Sequence, residues 1–417
     1  MGLKFRLTLM NFLQFFIWGS WLITIGGYWF QNKHWTGTEF GAIFSTMGIA
    51  SLFMPALAGV IADRWVTAEK LLGSFHLMGA ICLFLVPMMK TPAEMFTLML
   101  INMMFYMPTI SLAITVSYSA MKKAKMDIVK EYPPIRVFGT IGFIVAMWTV
   151  SLLKIETSSM QFYVASIASL VLGVYSFTLP KCEVSKKVEK KTLVDSLGLK
   201  AFTLFKDKKM ALFFIFSMLL GAALQLTNAY GDTFLHDFAK IDIYKGLVAI
   251  KYPAIIMSIS QMSETLFILT IPFFLRKFGI KNVMLFSMLA WVLRFGLFGL
   301  GNPADGLWMI ILSCIIYGMA FDFFNISGSL YVETQTDSSI RASAQGVFMM
   351  MTNGFGAIMG SSLSGLLIDH FFKAENGDFQ WKGIWFTFAA YSLVVAILFA
   401  VFFKHKHDPN KLTSVNN

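Results

Sequence analysis

Charged and reactive side chains are scarce in this chain of 417 residues. Asp, Glu, Lys and Arg together make up 14% of it, whereas soluble domains carry about 25%. The three cysteines, Cys82, Cys182 and Cys314, lie far apart without a CxxC spacing, and the six histidines are scattered. These shortages argue against a soluble domain, a disulfide framework and a metal site.

Sequence motifs of enzymes are missing as well. The chain has no HExxH, GxSxG or P-loop pattern, and no set of Ser, His and acid at one depth. A receptor would normally add a signalling domain, but only about a dozen residues follow Lys404. We therefore expect neither an enzyme nor a receptor.

Long apolar runs dominate what is present. Hydrophobic residues form 57% of the chain, and the mean hydropathy is +0.67. The runs match the length of about 20 residues that an α-helix needs to cross a bilayer. This pattern predicts an all-α, multi-pass membrane protein. Its twelve predicted spans are residues 6–30, 38–62, 70–90, 94–121, 133–153, 158–180, 210–235, 246–273, 280–300, 307–331, 342–368 and 382–403.

The net charge of +11 is distributed unevenly between alternate loops. The loops of one side carry 24 of the 34 Lys and Arg residues, and those of the other side carry eight. Because basic loops stay in the cytoplasm, both termini are expected there, and the charge is explained without nucleic acid. The basic start MGLKFR lacks a small-residue cleavage site, so we expect the first span to remain uncleaved.

One basic connection divides the chain into two halves. Residues 181–209, between the sixth and seventh spans, carry nine Lys residues. We predict an N-terminal six-helix half at 1–180, a cytoplasmic linker attracted to anionic lipid at 181–209, and a C-terminal six-helix half with a short cytoplasmic tail at 210–417. Two such halves are typical of major facilitator transporters, whose substrate site lies near mid-membrane between the halves.

Weak internal repeats support this division. The segments GVIADRW, with Asp63 and Arg64, and FLRKFGIKNV follow the second and eighth spans. Both resemble the cytoplasmic loop motif of major facilitators, so we expect them to supply gating charge and turn geometry. Glycine-rich runs, RVFGTIGF and QGVFMMMTNGFGAIMGSSLSG, occupy equivalent spans of the two halves, where small residues allow helix backbones to approach closely.

Four polar side chains interrupt the apolar spans of the C-terminal half. Gln225 and Asn228 are three residues apart, and so are Gln261 and Glu264, so each pair lies on one helix face. For each amide alone, a hydrogen bond that only holds helices together is the simpler interpretation. The two pairs together favour a binding site for a neutral, hydroxyl-rich solute, because they offer several donors and acceptors.

The tenth span mixes aromatic and acidic residues. Tyr317 and Phe321 share a helix face that could stack on a flat ring, although ordinary packing accounts for the pair equally well. Asp322 is a second acid at membrane depth, where acids are costly and usually functional. Two acids allow one to bind substrate while the other carries a proton, and the sequence leaves open whether Glu264 does both.

Two arginines also fall within predicted spans. Arg136 lies just after two prolines, with Thr140 and Phe143 on the same face, and it either serves the site or extends to the cytoplasmic surface. Arg294 lies deeper, and we expect it to form a structural ion pair with Asp322 as the candidate partner. A sugar porter would also use amides, acids and an aromatic ring, so it remains an alternative.

Several long stretches resemble the nucleoside:H+ symporter family of the major facilitators. They include LQFFIWGSWL, MDIVKEYPPIRVFGTIGF, FFIFSMLLGAALQLTNAYGDTFLH, IIMSISQMSETLFILTIPFFLRKFGIKNVM and YGMAFDFFNISGS. The resemblance covers nearly the whole chain and departs mainly in the central loop, the connection between the seventh and eighth spans, and the tail. It implies proton-driven uptake of purine and pyrimidine nucleosides, such as uridine and adenosine, across a bacterial inner membrane.

The resemblance also implies which residues act. We expect a monomer with the proton gradient as its driving force, without a cofactor or metal. Asp322 matches a family acid tied to transport, and Glu264 is the other candidate for proton coupling. The implied substrate-binding residues are Arg136, Thr140, Phe143, Gln225, Asn228, Gln261, Glu264, Tyr317 and Phe321.

Overall fold

The computed structural model describes residues 2–182, 199–337 and 340–405, and these are helical apart from turns, loops and one isolated β-bridge between Lys373 and Phe379. Contacts divide the chain into two compact units, Met1–Leu197 and Gly198–Asn417. Most of the predicted linker, the His-containing tail from residue 406 and the side chain of Asp63 lie outside the described residues. The all-helical prediction is confirmed for the described part of the chain.

Six long helices dominate the described part of the first unit, which also has a short α-helix (Ile25–Gly27), a π-helical turn (Tyr28–Asn32) and a 3-10 turn (Val86–Met88). Thr36 and Glu39 make a reciprocal capping box at the start of α2, and Thr91 and Glu94 make another at α4, where Pro92 occupies the first turn. These caps satisfy backbone N–H groups that have no partner within the helix. The helices are α1 (Leu3–Gly19), α2 (Gly37–Arg64), α3 (Ala68–Leu85), α4 (Pro92–Lys123), α5 (Ile128–Leu152) and α6 (Met160–Ser176).

In the second unit we label six α-helices, α7 to α12, and describe two π-helical turns. The carboxylate of Asp207 accepts hydrogen bonds from the backbone of Lys209 and Met210 and so caps α7. The helices are α7 (Lys208–Asp237), α8 (Pro253–Leu300), α9 (Leu307–Gln335), α10 (Arg341–Met349), α11 (Ala357–Leu367) and α12 (Trp381–Phe402). The π-helical turn Met350–Gly356 joins α10 to α11, and another, Ile368–Phe372, follows α11.

Helix α8 has 48 residues and contains the eighth and ninth predicted spans. Gly279 interrupts it with φ 75° and ψ 167°, a conformation that residues with a side chain rarely adopt. The kink falls inside the predicted loop motif FLRKFGIKNV, so the glycine of that motif provides the expected turn.

Nine helical segments in the described residues are long and apolar enough to cross a membrane. One of them is α8, which holds two predicted spans, and the first and sixth predicted spans correspond to helices of only 17 residues. A multi-pass membrane protein is therefore established, whereas the number twelve stays a prediction.

Glycines bring pairs of helix backbones into close contact, as the glycine runs predicted. In the first unit, a side chain at Gly19 of α1 would stand 2.5 Å from the carbonyl oxygen of Phe143 in α5. In the second unit, one at Gly360 of α11 would stand 2.5 Å from the carbonyl oxygen of Ala222 in α7, and one at Gly221 would overlap the carbonyl of Thr352. Each unit thus has an interface where only glycine fits.

We predict that Gly221→Ala destabilises the protein. The added methyl group has no room beside the carbonyl of Thr352, so α7 and the π-helical turn must separate. Overpacking of this kind costs about 1 to 3 kcal/mol. Thermal unfolding of purified protein in detergent should show a lower Tm.

Gly296→Ala is the matched control. Gly296 lies in α8 and has nothing within 4 Å of the added carbon, so this change should leave the Tm unchanged or raise it through better helix propensity. Equal losses of Tm in the two variants would contradict the close-contact interpretation.

Candidate functional site

The second unit holds seven of the predicted site residues on three helices. Gln225 and Asn228 lie on α7, Gln261 and Glu264 on α8 before the kink, and the remaining three on α9. These three are Tyr317, Phe321 and Asp322. Among the described residues, the side-chain oxygens of Gln225 and Gln261 are buried without a hydrogen-bond donor. Two buried acceptors are therefore free for a donor that the protein does not supply.

Close packing of α8 against α9 brings the acid and the aromatic pair together. The hydroxyl of Ser263 donates a hydrogen bond to the carbonyl oxygen of Ile315. A side chain at Gly318 would lie 2.6 Å from the carbonyl oxygen of Ser263. Because Glu264 follows Ser263 and Tyr317 precedes Gly318, these two candidate residues lie at the same level, and they interact electrostatically.

The aromatic pair forms a flat, ordered surface. The rings of Tyr317 and Phe321 are nearly parallel, with an interplanar angle of 6° and centroids 5.9 Å apart. Trp291 of α8 contacts Tyr317 edge-on, with an angle of 89° and a centroid distance of 5.9 Å. Tyr317 is buried, whereas Phe321 is partly exposed. The ring of Phe321 is therefore accessible, and it lies parallel to the buried ring of Tyr317, which Trp291 holds in place.

Asp322 follows this pair and is almost fully buried, with 4% of its surface exposed. In the described part of the chain, its Oδ2 has no hydrogen-bond partner. Glu264 is more exposed and lies within electrostatic range of Asp322. The two acids thus differ in solvent access while influencing each other, which is a suitable arrangement for two different roles.

The prediction that Arg294 forms an ion pair with Asp322 is wrong, because no such pair is present among the described residues. Arg294 is fully buried, and its guanidinium donates to the hydroxyls of Thr227 and Ser260 and to the carbonyl oxygen of Ser313, at 3.2, 3.3 and 2.7 Å. It also stacks on the Tyr317 ring at 4.6 Å. Neutral hydroxyls and rings surround this cation, and sequence alone gives no signal for such partners.

The other three predicted residues, Arg136, Thr140 and Phe143, lie on α5 of the first unit. This helix begins at Ile128, before the two prolines, so Arg136 is two turns inside it and not one turn from its start. The guanidinium of Arg136 lies 4.1 Å from the centre of the Phe15 ring, and Phe143 contacts Trp18 edge-on. Arg136 is therefore held by an aromatic ring of α1.

The first unit contains a buried polar network that was not predicted from the sequence. The side chain of Gln14 bonds His76 at 2.8 Å and donates to Thr109 at 2.7 Å, and the hydroxyl of Tyr106 donates to the backbone carbonyl of Gln14. Ser169 completes the network by donating to the carbonyl of His76. The signal was present, because Gln14 and His76 stand at mid-span, where polar side chains need partners.

Comparison with known proteins gives matches over nearly the full length. The model of the family described as nucleoside H+ symporter matches residues 1–408. Xanthosine permease of Escherichia coli (strain K12) is 53% identical over 99% of this chain and 98% of its own. Nucleoside permease NupG of the same organism is 51% identical over 98% of this chain and 97% of its own.

Solved structures agree with these matches. A crystal structure of the nucleoside transporter NupG has a TM-score of 0.92 at 51% identity and covers 97% of this chain and 100% of the other. The POT family transporter PepTSo reaches a TM-score of 0.73 at 12% identity, which shows likeness of fold alone.

The network around Gln14 yields a stability test. Gln14→Leu should lower the Tm, because His76 and Thr109 would each lose a buried partner on another helix. Polar contacts between membrane helices contribute about 1 to 2 kcal/mol. Thermal unfolding of the purified variant measures the loss.

Asn11→Leu is the control from the same helix. Asn11 is equally buried, but its side chain donates only to the carbonyl of Leu7 within α1, among the residues the structure describes. Replacement of Asn11 should therefore change the Tm little. A smaller loss in Gln14→Leu than in Asn11→Leu would show that the network does not join the helices energetically.

Proposed function

Because this chain belongs to the nucleoside H+ symporter family, we propose that the polar and aromatic residues of α7, α8 and α9 bind the nucleoside it transports. The protein is a proton-coupled nucleoside transporter and not an enzyme. What remains to be assigned is which groups hold the ribose, which hold the base and which carry the proton.

The unpaired amide oxygens of Gln225 and Gln261 are the observation that carries the proposal. Buried acceptors without donors are unfavourable unless a ligand pairs with them. Ribose hydroxyls are donors of the required kind and can also donate to the carboxylate of Glu264. Asn228, one turn from Gln225, adds a further donor and acceptor.

The nucleobase is assigned to the aromatic pair. Phe321 is partly exposed and lies parallel to Tyr317, so a planar base can stack on it in an offset arrangement. A sugar could also pack against an aromatic ring, so the choice of a nucleoside over a sugar rests on the family match and not on this pair. The roles of Arg136, Thr140 and Phe143 in binding stay predictions from the family resemblance.

Proton coupling is assigned to Asp322. Its carboxyl is buried, has one oxygen without a partner and has no cation beside it among the described residues. Ionisation in such surroundings is unfavourable until water or a cation reaches the group. A change in access during transport would therefore make it take up or release a proton. Glu264, which is less buried, is assigned to the ribose.

The remaining features of the function extend this proposal. We expect uptake of both purine and pyrimidine nucleosides, including uridine and adenosine, by alternating access across a bacterial inner membrane with both termini in the cytoplasm. The driving force is the proton gradient, so no cofactor is required. We expect the transporter to act as a monomer.

Removal of one acceptor should weaken nucleoside binding. Gln261→Ala is expected to raise the apparent KM for uridine about tenfold, the effect of losing about 1.4 kcal/mol of hydrogen bonding. Glu264→Gln should also weaken binding, because the carboxylate is a stronger acceptor than an amide. Uptake of labelled uridine into proteoliposomes measures the change.

Gln345→Ala is the matched control for Gln261. Gln345 donates to the carbonyl of Ser329 and so joins two helices of the same unit without belonging to the proposed site. Its KM for uridine should stay within twofold of wild type. Unchanged KM in both Gln261→Ala and Glu264→Gln would remove these residues from the site.

Asp322→Asn should separate transport from the proton gradient. The amide cannot release a proton, so an imposed pH gradient should no longer concentrate uridine in proteoliposomes, whereas exchange of labelled for unlabelled uridine should continue. Gradient-driven accumulation equal to wild type, still abolished by a protonophore, would exclude Asp322 as the only proton carrier.

A further inference from the structure

Arg294 is fully buried, and its guanidinium contacts hydroxyls, a carbonyl oxygen and aromatic rings. None of its hydrogen-bond partners among the described residues is a carboxylate. Burial of an unpaired charge is expensive, and a neutral side chain of similar size would avoid that cost. The position therefore calls for a function that only the guanidinium supplies.

The partners of Arg294 identify where that function lies. Thr227 precedes Asn228 on α7, Ser260 precedes Gln261 on α8, and Ser313 lies one turn before Tyr317 on α9. Each helix of the proposed nucleoside site is thus tied to the same guanidinium next to its own site residue. The hydroxyl of Ser313 also donates back to the carbonyl of Arg294, at 2.9 Å.

Two aromatic rings contact the same guanidinium. It lies 4.6 Å from the centre of the Tyr317 ring and 5.1 Å from that of Phe298. Tyr317 is in turn parallel to Phe321. The cation thus contacts the buried ring, and the buried ring lies parallel to the accessible one, so a shift of the guanidinium would disturb the pair through Tyr317.

We propose that Arg294 is a positioning residue of the nucleoside site, which fixes Tyr317 so that Tyr317 and Phe321 present one flat face to the nucleobase. This inference rests on the proposed function. Because Arg294 is fully buried, it acts through the ring of Tyr317 and not by contact with the nucleoside.

The geometry requires arginine and not merely a positive charge. A guanidinium is planar, carries five donors and stacks on aromatic faces, so it can bond to three helices and still lie against a ring. The ammonium of lysine is a point charge that cannot do both. Arg294→Lys therefore keeps the charge and removes the orientation.

The test uses uridine and the full-length protein. In proteoliposomes, Arg294→Lys should raise the apparent KM for uridine about tenfold, the upper end of what stacking of a base on an ordered ring contributes. The maximal rate per inserted molecule should stay within twofold. Arg341→Lys is the matched control, because Arg341 pairs with Glu333 at 2.9 Å outside the proposed site, and its KM should not change.

Two further readouts separate positioning from general stabilisation. The rise in Tm that saturating uridine gives should be smaller in Arg294→Lys than in wild type, whatever the Tm without uridine. In a Tyr317→Leu background, Arg294→Lys should raise the KM no further, since the ring through which it acts is gone.

Ser260→Ala serves if Arg294→Lys does not fold. It removes one acceptor of the guanidinium and keeps the cation, so a KM increase of about threefold is expected, and this increase should also vanish with Tyr317→Leu. The inference is overturned if Arg294→Lys, or Ser260→Ala in its place, leaves the KM unchanged or adds its full effect in the Tyr317→Leu background. If Tyr317→Leu and Gln261→Ala themselves leave the KM unchanged, the proposed site fails, and the inference fails with it.

Discussion

The absence of water inside a membrane is the constraint on which this structure depends. A polar group there must find its partner within the protein or keep it for a ligand. Gln14, His76 and Tyr106 in the first unit follow the first course. The amide oxygens of Gln225 and Gln261 have no partner in the described part of the protein, which leaves them available for a ligand. Single unpaired atoms, such as Asn102 Oδ1, also occur outside the proposed site, which is distinguished by having three of them, on Gln225, Gln261 and Asp322.

The same constraint explains how the helices pack. With lipid as apolar as the side chains, helices associate through close backbone contact and polar bonds. Each unit uses both means: glycines join α1 to α5 and α7 to α11, and a buried basic side chain joins several helices. In the first unit that residue is His76, in the second it is Arg294. A histidine in the first unit and an arginine in the second thus both connect helices through hydrogen bonds.

Sequence reasoning recovered the helices well because an apolar run of about 20 residues is seldom anything but a membrane span. It also found the polar pairs, since a Gln or Glu in an apolar run is conspicuous. It failed where the outcome depends on partners distant in sequence. The partners of Arg294 are common residues, two serines and a threonine, and no pattern distinguishes them from the rest. The start of α5 was misplaced for a local reason, because prolines in the first turns of a helix do not mark its first residue.

The π-helical turn Met350–Gly356 has a consequence for comparing relatives. A π-helical turn holds one residue more than the α-helical turn it replaces, and one residue corresponds to a rotation of about 100°. The faces of α10 and α11 are therefore out of phase, although the two helices belong to one predicted span. A relative that lacks one residue here can keep both faces in place by forming an ordinary α-helical turn. A one-residue gap inside a membrane span, normally a sign of misalignment, is structurally legitimate at this position.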